Sequence, residues 1–470
     1  MNKKIIGAVI LGVVLTASSC KKFLDIQPQE QFTSTIATSS LDGLTKTTTG
    51  AFNQIQSSNL YGGGIIANSE LMADFVSADP IADYSLNQFR TRQLDANNGL
   101  SGGMWSDAYR AIYMVNVVLK YLPTYQATNP GQVQVLKGEC YFIRGIMHFE
   151  LLRMFAQPSG FTSDDSHLGI PIVLAPGDIT HGQSVPRSTV AQVYAQIVTD
   201  LDSAIALLPA SNSAFATKYA AQGFLTRVFF TQNKFAEAEA MATNVINSGL
   251  ALNPTVGAID SVVGSAGTSE TVFQNVSTLP TDLADGVLTG RFRRLALTPA
   301  TCYMSPAFTP YYKADSASGG TRWKTFYKLA TDGGGGAPKY YWCNKYNVQT
   351  ANVTVIRLAE MYLTRAECRA QLGESDDQVR ADYNIVRQRA GLLADNTTSG
   401  QTALLNAIRS ERDFELSVEG DRFFEIKRRK LSFSSPESGE VFPWNSPQLV
   451  YPIPLQEVRQ NTNMVQNPGY

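Results

Sequence analysis

The sequence has few of the residues and motifs that catalytic and metal sites require. It contains three histidines and five cysteines among 470 residues, and the cysteines form no C-x-x-C pair. Neither H-E-x-x-H nor G-x-S-x-G occurs, and the glycines at 333–336 lead to Ala337 instead of a Lys-Ser/Thr pair. The 40 acidic residues include no pair that is marked out for glycosidase chemistry. We therefore expect no catalytic residues, no metal and no cofactor.

An excess of charge of one sign is also missing. The 39 Lys and Arg residues nearly balance the 40 Asp and Glu residues, which leaves a formal net charge of -1. No continuous basic stripe is present that could follow a phosphate backbone. We therefore expect no nucleic-acid partner.

The only long apolar run lies near the N-terminus. Lys3 and Lys4 precede an apolar stretch at 5–15, and small residues at 17–19 lead directly to Cys20. This pattern is typical of an export signal at 1–19, and its apolar run of about 11 residues is too short to span a bilayer. A cysteine at this place predicts acylation of Cys20 and a lipid anchor. The alternative is ordinary signal cleavage beside an incidental cysteine.

Four further cysteines are scattered through the chain, at Cys140, Cys302, Cys343 and Cys368. Export would permit two disulfides. Isolated cysteines within helical patterns are more often small buried residues, so free thiols are the expectation.

Helical periodicity dominates both halves of the sequence. Apolar residues recur at helical spacing in 105–122, 132–155, 189–208, 219–230, 235–246, 355–372 and 378–390. The segments 219–230 and 235–246 together resemble a tetratricopeptide-like hairpin, in which Ala220, Gly223, Ala236 and Ala240 would lie at the crossing. In a second pair, Gly373 ends one helix, and Ser375 or Asp376 caps the next. These pairs predict a mostly α-helical scaffold.

Two regions interrupt the helices, at 250–352 and 431–451. Both are rich in Gly, Ser, Thr, Pro and aromatic residues and predict irregular structure with short strands. The domain boundaries expected from this pattern are 1–19 for the signal, 20–249 for an N-terminal helical region, 250–352 for a loop-rich insertion and 353–470 for a C-terminal region. A long loop region inside a compact protein is usually functional.

The insertion contains the first candidate binding site. The aromatic residues concentrated there are Tyr311, Tyr312, Trp323, Phe326, Tyr327, Tyr340, Tyr341 and Trp342. Flat rings with a polar edge suit the apolar face of a sugar ring, and Trp323 is the first choice, with Tyr327, Tyr340, Tyr341 and Trp342 as further candidates. The alternative is a satellite hydrophobic cluster beneath a loop.

A second candidate precedes the 105–122 helix, where Phe89, Arg90, Arg92, Asn97 and Asn98 predict a polar and aromatic loop. Amide and guanidinium groups supply donors for a polyhydroxylated ligand, so Arg90, Asn97 and Asn98 are glycan-binding candidates. The alternative is a solvated turn.

Other residues that attract attention have simpler explanations. Trp105, Tyr109 and Tyr113 recur at helical spacing and predict a core-facing side. The charged residues of the C-terminal half are expected to be structural and to form pairs three or four residues apart within helices; they are Glu360, Glu367, Glu411, Arg412, Glu415, Glu419 and Arg422.

Further motifs extend across nearly the whole chain after residue 19, at 20–25, 105–116, 138–153, 169–173, 357–367, 384–391, 411–424, 451–454 and 466–470. Together they resemble the SusD/RagB family of bacterial nutrient-uptake lipoproteins. The resemblance implies tetratricopeptide-type helix pairs that support a loop-rich glycan-binding region. It also implies an outer-membrane location, a lipid anchor that faces the cell exterior, an oligosaccharide or polysaccharide ligand and a TonB-dependent SusC-like barrel as partner. Lys21 and Lys22 depart from the acidic residues that often follow the cysteine in surface-displayed members.

Three functions follow from these observations. The first is a glycan-binding lipoprotein that delivers oligosaccharide to the barrel. The second is a helical-repeat lipoprotein that acts as a scaffold for envelope assembly and binds no sugar. The third, an enzyme, would need two carboxylates about 5 to 9 Å apart in a cleft.

Overall fold

The structure is a computed structural model. It describes residues 38–80, 83–177, 184–212, 215–256, 268–276, 286–292, 301–330, 340–346 and 352–470. The predicted signal peptide and Cys20 lie outside the described residues. Within the described ranges, none of the helices is both long enough and apolar enough to cross a membrane.

The described residues form 16 α-helices, and most of the long ones lie in the two halves that flank the insertion. The N-terminal half contains α1 (Leu41–Ile55), α2 (Gly64–Met72), α3 (Tyr84–Thr91), α4 (Gly99–Tyr121), α5 (Pro130–Phe155), α6 (Val190–Leu207), α7 (Lys218–Thr231) and α8 (Phe235–Ile246). The insertion contains α9 (Gly286–Phe292), α10 (Thr309–Ala317) and α11 (Arg322–Thr325). The C-terminal half contains α12 (Leu358–Leu372), α13 (Asp376–Arg389), α14 (Gln401–Glu415), α15 (Arg422–Arg428) and α16 (Leu455–Gln460).

The long helices pack in a continuous series, as expected for stacked helix pairs. Helix α1 packs on α4, and α4 to α8 then pack one against the next along the chain. Helix α8 packs on α12, which continues the series to α13 and α14. The predicted mostly α-helical scaffold is therefore confirmed, and the two halves of the chain meet at the α8–α12 contact.

The hairpin of α7 and α8 shows how the local sequence produces this packing. Its second helix occupies the predicted range, but Ala238 and Ala242 are its buried small residues, whereas Ala236 and Ala240 are exposed. The predicted crossing was therefore wrong by two residues for this helix. In α7, Ala220 is buried, and a Cβ at Gly223 would lie 3.2 Å from Val272 Cγ1.

The caps of the second pair agree with the prediction. Gly373 has the left-handed φ of 76° that ends α12, and Ser375 caps α13 through a capping box with Gln378. The start of α12 differs from the prediction, because Val355 belongs to a strand and the helix begins at Leu358. The β-branched residues that precede Leu358 favour the extended conformation.

Eight short strands form four two-stranded antiparallel sheets in the described residues. The pairs are β1 (Val76–Ala78) with β3 (Cys302–Met304), β2 (Thr271–Asn275) with β6 (Val353–Arg357), β4 (Tyr327–Ala330) with β5 (Tyr340–Cys343), and β7 (Phe433–Ser434) with β8 (Val441–Phe442). The first two pairs connect the insertion or its edge to distant parts of the chain. Short strands in the insertion were predicted, but α9 and α10 were not.

The four described cysteines, Cys140, Cys302, Cys343 and Cys368, are buried free thiols. Burial raises the pKa of the Cys302 thiol to about 12 and holds it in the neutral form. Each of these cysteines therefore acts as a small apolar residue in the core.

Candidate functional site

The hairpin of β4 and β5 divides the candidate aromatic residues between two faces. Leu329 lies opposite Tyr341, and Lys328 lies opposite Trp342. Because successive strand residues point to opposite faces, Tyr341 lies on one face and Tyr340 and Trp342 lie on the other. The eight candidate aromatic residues therefore cannot form one continuous platform.

The first face carries the Trp323 cluster, which we define as Tyr312, Trp323 and Tyr341. The ring of Tyr312 lies 3.9 Å from that of Tyr341 and 5.7 Å from that of Trp323, measured between centroids. All three side chains are half-buried, so each keeps part of its ring accessible to solvent. This cluster brings helix α10, helix α11 and strand β5 together at one surface.

The opposite face carries the Tyr340 cluster, which we define as Tyr303, Tyr340 and Trp342. Tyr303 and Tyr340 stack with their ring centroids 3.9 Å apart, and Trp342 lies edge-on to both rings. The Tyr303 hydroxyl donates a hydrogen bond of 3.2 Å to the exposed Asp79. Trp342 is only 3% exposed, so it supports the two tyrosines from below.

Of the other three candidate aromatic residues, Phe326 and Tyr327 belong to the core, and Tyr311 is half-buried at its edge. Tyr327 is 2% exposed, its ring packs against Phe308 and Phe414, and its hydroxyl contacts Ser417. Phe326 is also buried, and the hydroxyl of Tyr311 donates to Asp413. For Tyr327 the structure therefore favours the satellite hydrophobic cluster, and its ring offers no face to a ligand.

A buried ion network fixes the position of the Trp323 cluster. Arg322 is buried and its guanidinium contacts Asp315 at 3.2 Å, Glu411 at 2.7 Å and Glu415 at 3.1 Å. The backbone N–H of Trp323 donates to the same Asp315 carboxylate at 3.1 Å. The charge pairs thus attach α10 and α11 to α14, and they set where the Trp323 ring lies.

The end of strand β5 is held in the same way. Lys345 is buried, and its ammonium donates to the backbone oxygens of Glu415 and Ser417 at 2.8 and 2.7 Å and to the Glu419 carboxylate at 2.6 Å. Arg357 and Arg389 also contact the Glu415 carboxylate. Burial alone would raise the pKa of Glu415, but Arg389, Arg357 and Arg322 outweigh it and hold that pKa well below its usual range.

The C-terminal charged residues therefore pair differently from the prediction. Glu360 pairs with Arg227, Glu411 with Arg322, and Arg422 with Asp74, all across different elements. Pairs three or four residues apart on one helix were expected, and for these residues that expectation was wrong. The long-range pairs connect the insertion and the N-terminal half to the C-terminal helices.

The second predicted site is more ordered than a loop. Arg90 lies in helix α3, and its Nε donates to Asn87. Asn98 is 3% exposed, caps α4, and donates to the Ser85 carbonyl and the Gln88 side chain. Asn97 is exposed. The amide of Asn98 is therefore engaged in holding α3 against α4, which leaves Asn97 and part of Arg90 accessible.

Arg92, from the same segment, is buried and makes no open site. Its guanidinium donates to the Met72 and Ala73 carbonyls and to Glu437. It also lies over the rings of Phe433 and Phe442 in the β7–β8 pair. Arg92 therefore connects helix α2 to the C-terminal hairpin.

Sequence reasoning did not include Tyr303 in the aromatic site. In the sequence, Tyr303 precedes the segment 311–342 that holds the candidate rings, and its strand pairs with β1, where it lies opposite Ser77. A tyrosine between Cys302 and Met304, which are both buried, shows the alternation of a half-buried strand. That alternation is the signal that could have identified it.

Comparison with known proteins assigns the fold to a family. The family model described as "Starch-binding associating with outer membrane" matches residues 22–230, and the SusD family model matches residues 313–470. The chain belongs to the SusD/RagB family. The predicted resemblance is confirmed. The second matched region begins at residue 313, so it includes Trp323 and the β5 strand but not Tyr303 and Tyr312.

Individual members of the SusD/RagB family match most of the chain. SusD-like protein P2 of Formosa agariphila is 25% identical over 430 residues, which cover 80% of this chain and 81% of that protein. A SusD superfamily structure from Bacteroides thetaiotaomicron superposes with a TM-score of 0.78 at 23% identity. The match covers 91% of this chain and 100% of that protein's chain. A laminarin-binding SusD-like protein superposes with a TM-score of 0.72 at 20% identity, and covers 91% of this chain and 99% of its own. At these identities the two structures show the shared fold.

Proposed function

We propose that this chain is a lipid-anchored, outer-membrane glycan-binding protein that delivers oligosaccharide to a TonB-dependent SusC-like transporter. The observation that carries the proposal is the Trp323 cluster. Its three half-exposed rings come from separate elements and are fixed by buried charges, so the surface is rigid before any ligand arrives. A preorganised aromatic surface loses little conformational entropy when it binds.

The family supports a binding role and not catalysis. Its model is described as starch-binding, and one relative of the same fold is named as laminarin-binding. The Trp323 cluster contributes ring faces and hydroxyl edges, which is the combination that a sugar ring with an apolar face and peripheral hydroxyls requires. The ligand class we propose is therefore an oligosaccharide or polysaccharide.

Substitution of Trp323 by Ala is expected to weaken glycan binding by roughly tenfold or more. Loss of one large stacking surface removes on the order of 1 to 3 kcal/mol of binding free energy. Tyr341→Ala should act in the same direction, because its ring belongs to the same cluster. Calorimetry against a glycan panel measures both effects.

A matched control is Tyr113→Ala on helix α4. The helical spacing predicted that Tyr113 faces the core, but that prediction was wrong, because the side chain is 39% exposed. Circular dichroism should show unchanged helix content in all three variants. If folded Trp323→Ala binds the glycan as tightly as the unchanged protein, Trp323 does not belong to the site. If the unchanged protein binds no glycan in the panel, the scaffold alternative replaces the proposal.

The transporter partner leads to a separate prediction. If this chain stays bound to the transporter barrel, the two proteins should bury well above roughly 2,000 Å² of surface in total. Permanent partners use larger interfaces than transient ones. Gentle detergent extraction should therefore co-purify a much larger outer-membrane protein with this chain. The partnership would be contradicted if the chain were recovered alone, in several detergents, from cells that express the SusC-like barrel encoded beside it.

A further inference from the structure

Basic residues are concentrated in the segment that carries the aromatic clusters. Residues 286–346 contain nine Lys and Arg residues but only two Asp residues, whereas the rest of the chain contains 30 basic and 38 acidic residues. The whole insertion, 250–352, contains these nine basic residues and six acidic residues, so the excess of positive charge is concentrated in its part from 286 to 346. A local excess of this kind contributes a positive potential around that part of the chain.

Part of this positive charge is neutralised inside the protein. Arg322 and Lys345 are buried and contact the carboxylates of the ion network. Arg291 donates at 2.6 Å to the side-chain oxygen of Asn68. Arg322 and Lys345 therefore hold the fold together and are not available to a ligand, whereas Arg291 is half-buried and keeps its charge, because Asn68 is neutral.

Three lysines remain at the surface of the described part of the insertion. Lys313, Lys324 and Lys328 are all exposed, and none forms an ion pair with a described residue. Within 301–330 and 340–346 the only carboxylate is Asp315, which is buried and bound to Arg322. The exposed charge of these ranges is therefore entirely positive.

Two of the lysines directly follow members of the Trp323 cluster. Lys313 follows Tyr312 on α10, and Lys324 follows Trp323 on α11. Lys328 lies instead opposite Trp342, on the face of the Tyr340 cluster, where Tyr303 binds the exposed Asp79. Lys313 and Lys324 therefore project from the two helices that carry Tyr312 and Trp323, and neither lysine forms an ion pair with a described residue, whereas the other face carries a carboxylate of its own.

We propose that the glycan bound at the Trp323 cluster is anionic, with carboxylate or sulfate groups that Lys313 and Lys324 contact. This inference rests on the proposed glycan-binding function and specifies its ligand class. The rings bind the apolar faces of the sugar units, and the lysine ammonium groups bind the acidic substituents. Ammonium groups on flexible stems suit charged groups whose spacing varies along a polysaccharide.

The size of the effect follows from the exposure of the lysines. Exposed charge pairs contribute modestly, so removal of one lysine should weaken binding by about threefold, and removal of both by about tenfold. The contribution should vanish at 1 M salt, where the Debye length is about 3 Å. The stacking contribution should persist at that salt concentration.

The test is an array of matched saccharides that differ only in charge. Polygalacturonate oligomers with their methyl esters distinguish carboxylates, and sulfated galactan oligomers with their desulfated forms distinguish sulfates. Titrations at 0.05 M and 1 M salt then compare the unchanged protein with Lys313→Gln/Lys324→Gln. Lys137→Gln, at an exposed lysine of helix α5, is the matched control.

The expected result is tighter binding to a charged member than to its uncharged partner, with a tenfold loss in the double variant at low salt only. The identity of the favoured pair decides between carboxylate and sulfate. Equal or tighter binding to the uncharged partner, or an equal loss in Lys137→Gln, would overturn this inference and leave the proposed function intact. Absence of binding to every member of the array, charged and uncharged, would overturn the proposed function itself.

Discussion

Replacement of Glu415 by Gln should lower the free energy of unfolding by about 3 to 5 kcal/mol. The Glu415 side chain has no solvent exposure and contacts Arg322 at 3.1 Å, Arg357 at 2.7 Å, and Arg389. Loss of its negative charge leaves several buried guanidinium groups with too little counter-charge, which is the costly way to break a buried ion pair. Urea unfolding followed by circular dichroism should show the lower midpoint.

The control is Asp377→Asn, which removes a surface ion pair on helix α13. The Asp377 side chain is 92% exposed and pairs with Arg380, so its loss should change the stability by less than about 1 kcal/mol. Equal effects from the two substitutions would mean that the buried network adds no stability beyond an exposed pair.

The pH dependence of the free energy of unfolding provides a second measurement on the Glu415→Gln variant. The pKa of Glu415 in the folded protein is lower than its unfolded value, so the stability that this carboxylate contributes is present above the ordinary glutamate pKa of about 4.3. That contribution is lost as the pH falls from 4.3 towards the folded value. The difference between the unchanged protein and Glu415→Gln should therefore be full at pH 7 and should shrink below pH 4.3.

Replacement of Cys20 by Ala should move nearly all of the protein from the membrane to the soluble fraction. Each buried CH₂ of an acyl chain contributes about 0.8 kcal/mol to membrane binding, so several chains make release negligible and their absence makes it complete. Fractionation and immunoblotting measure the distribution.

The matched control for the anchor is Lys22→Gln, which changes the adjacent sequence and keeps the cysteine. It should remain in the membrane fraction. If Cys20→Ala also remains there after a high-salt wash, the attachment does not depend on a lipid at this residue.

The scaffold could be predicted from the sequence wherever local signals and packing agree. The range 235–246 was predicted to the residue, and the caps at Gly373 and Ser375 were predicted because capping depends on neighbouring residues alone. The start of α12 was missed because Val355 and Ile356 are apolar at a helical spacing and yet pair with β2. That pairing depends on residues more than 80 positions away, which a local pattern cannot contain.

The candidate site could be predicted as a region but not as a surface. The concentration of rings in 311–342 indicated the insertion, and Trp323 and Tyr341 are both half-exposed there. The burial of Tyr327 depends on the strand register that directs its ring towards Phe308 and Phe414. The role proposed for Lys313 and Lys324 depends on which neighbouring charges are buried, and only the fold supplies that information.

The buried ion network also joins residues that are made at different times during synthesis of the chain. Arg322, Arg357 and Arg389 all precede the carboxylate of Glu415 that they share. A polypeptide released before residue 411 therefore has only Asp315 and Glu270 to pair with these cations, and it lacks the carboxylates that attach α11 to the C-terminal half. We therefore expect the Trp323 cluster to take up its position only after residue 415 has been synthesised, although its aromatic residues are made much earlier.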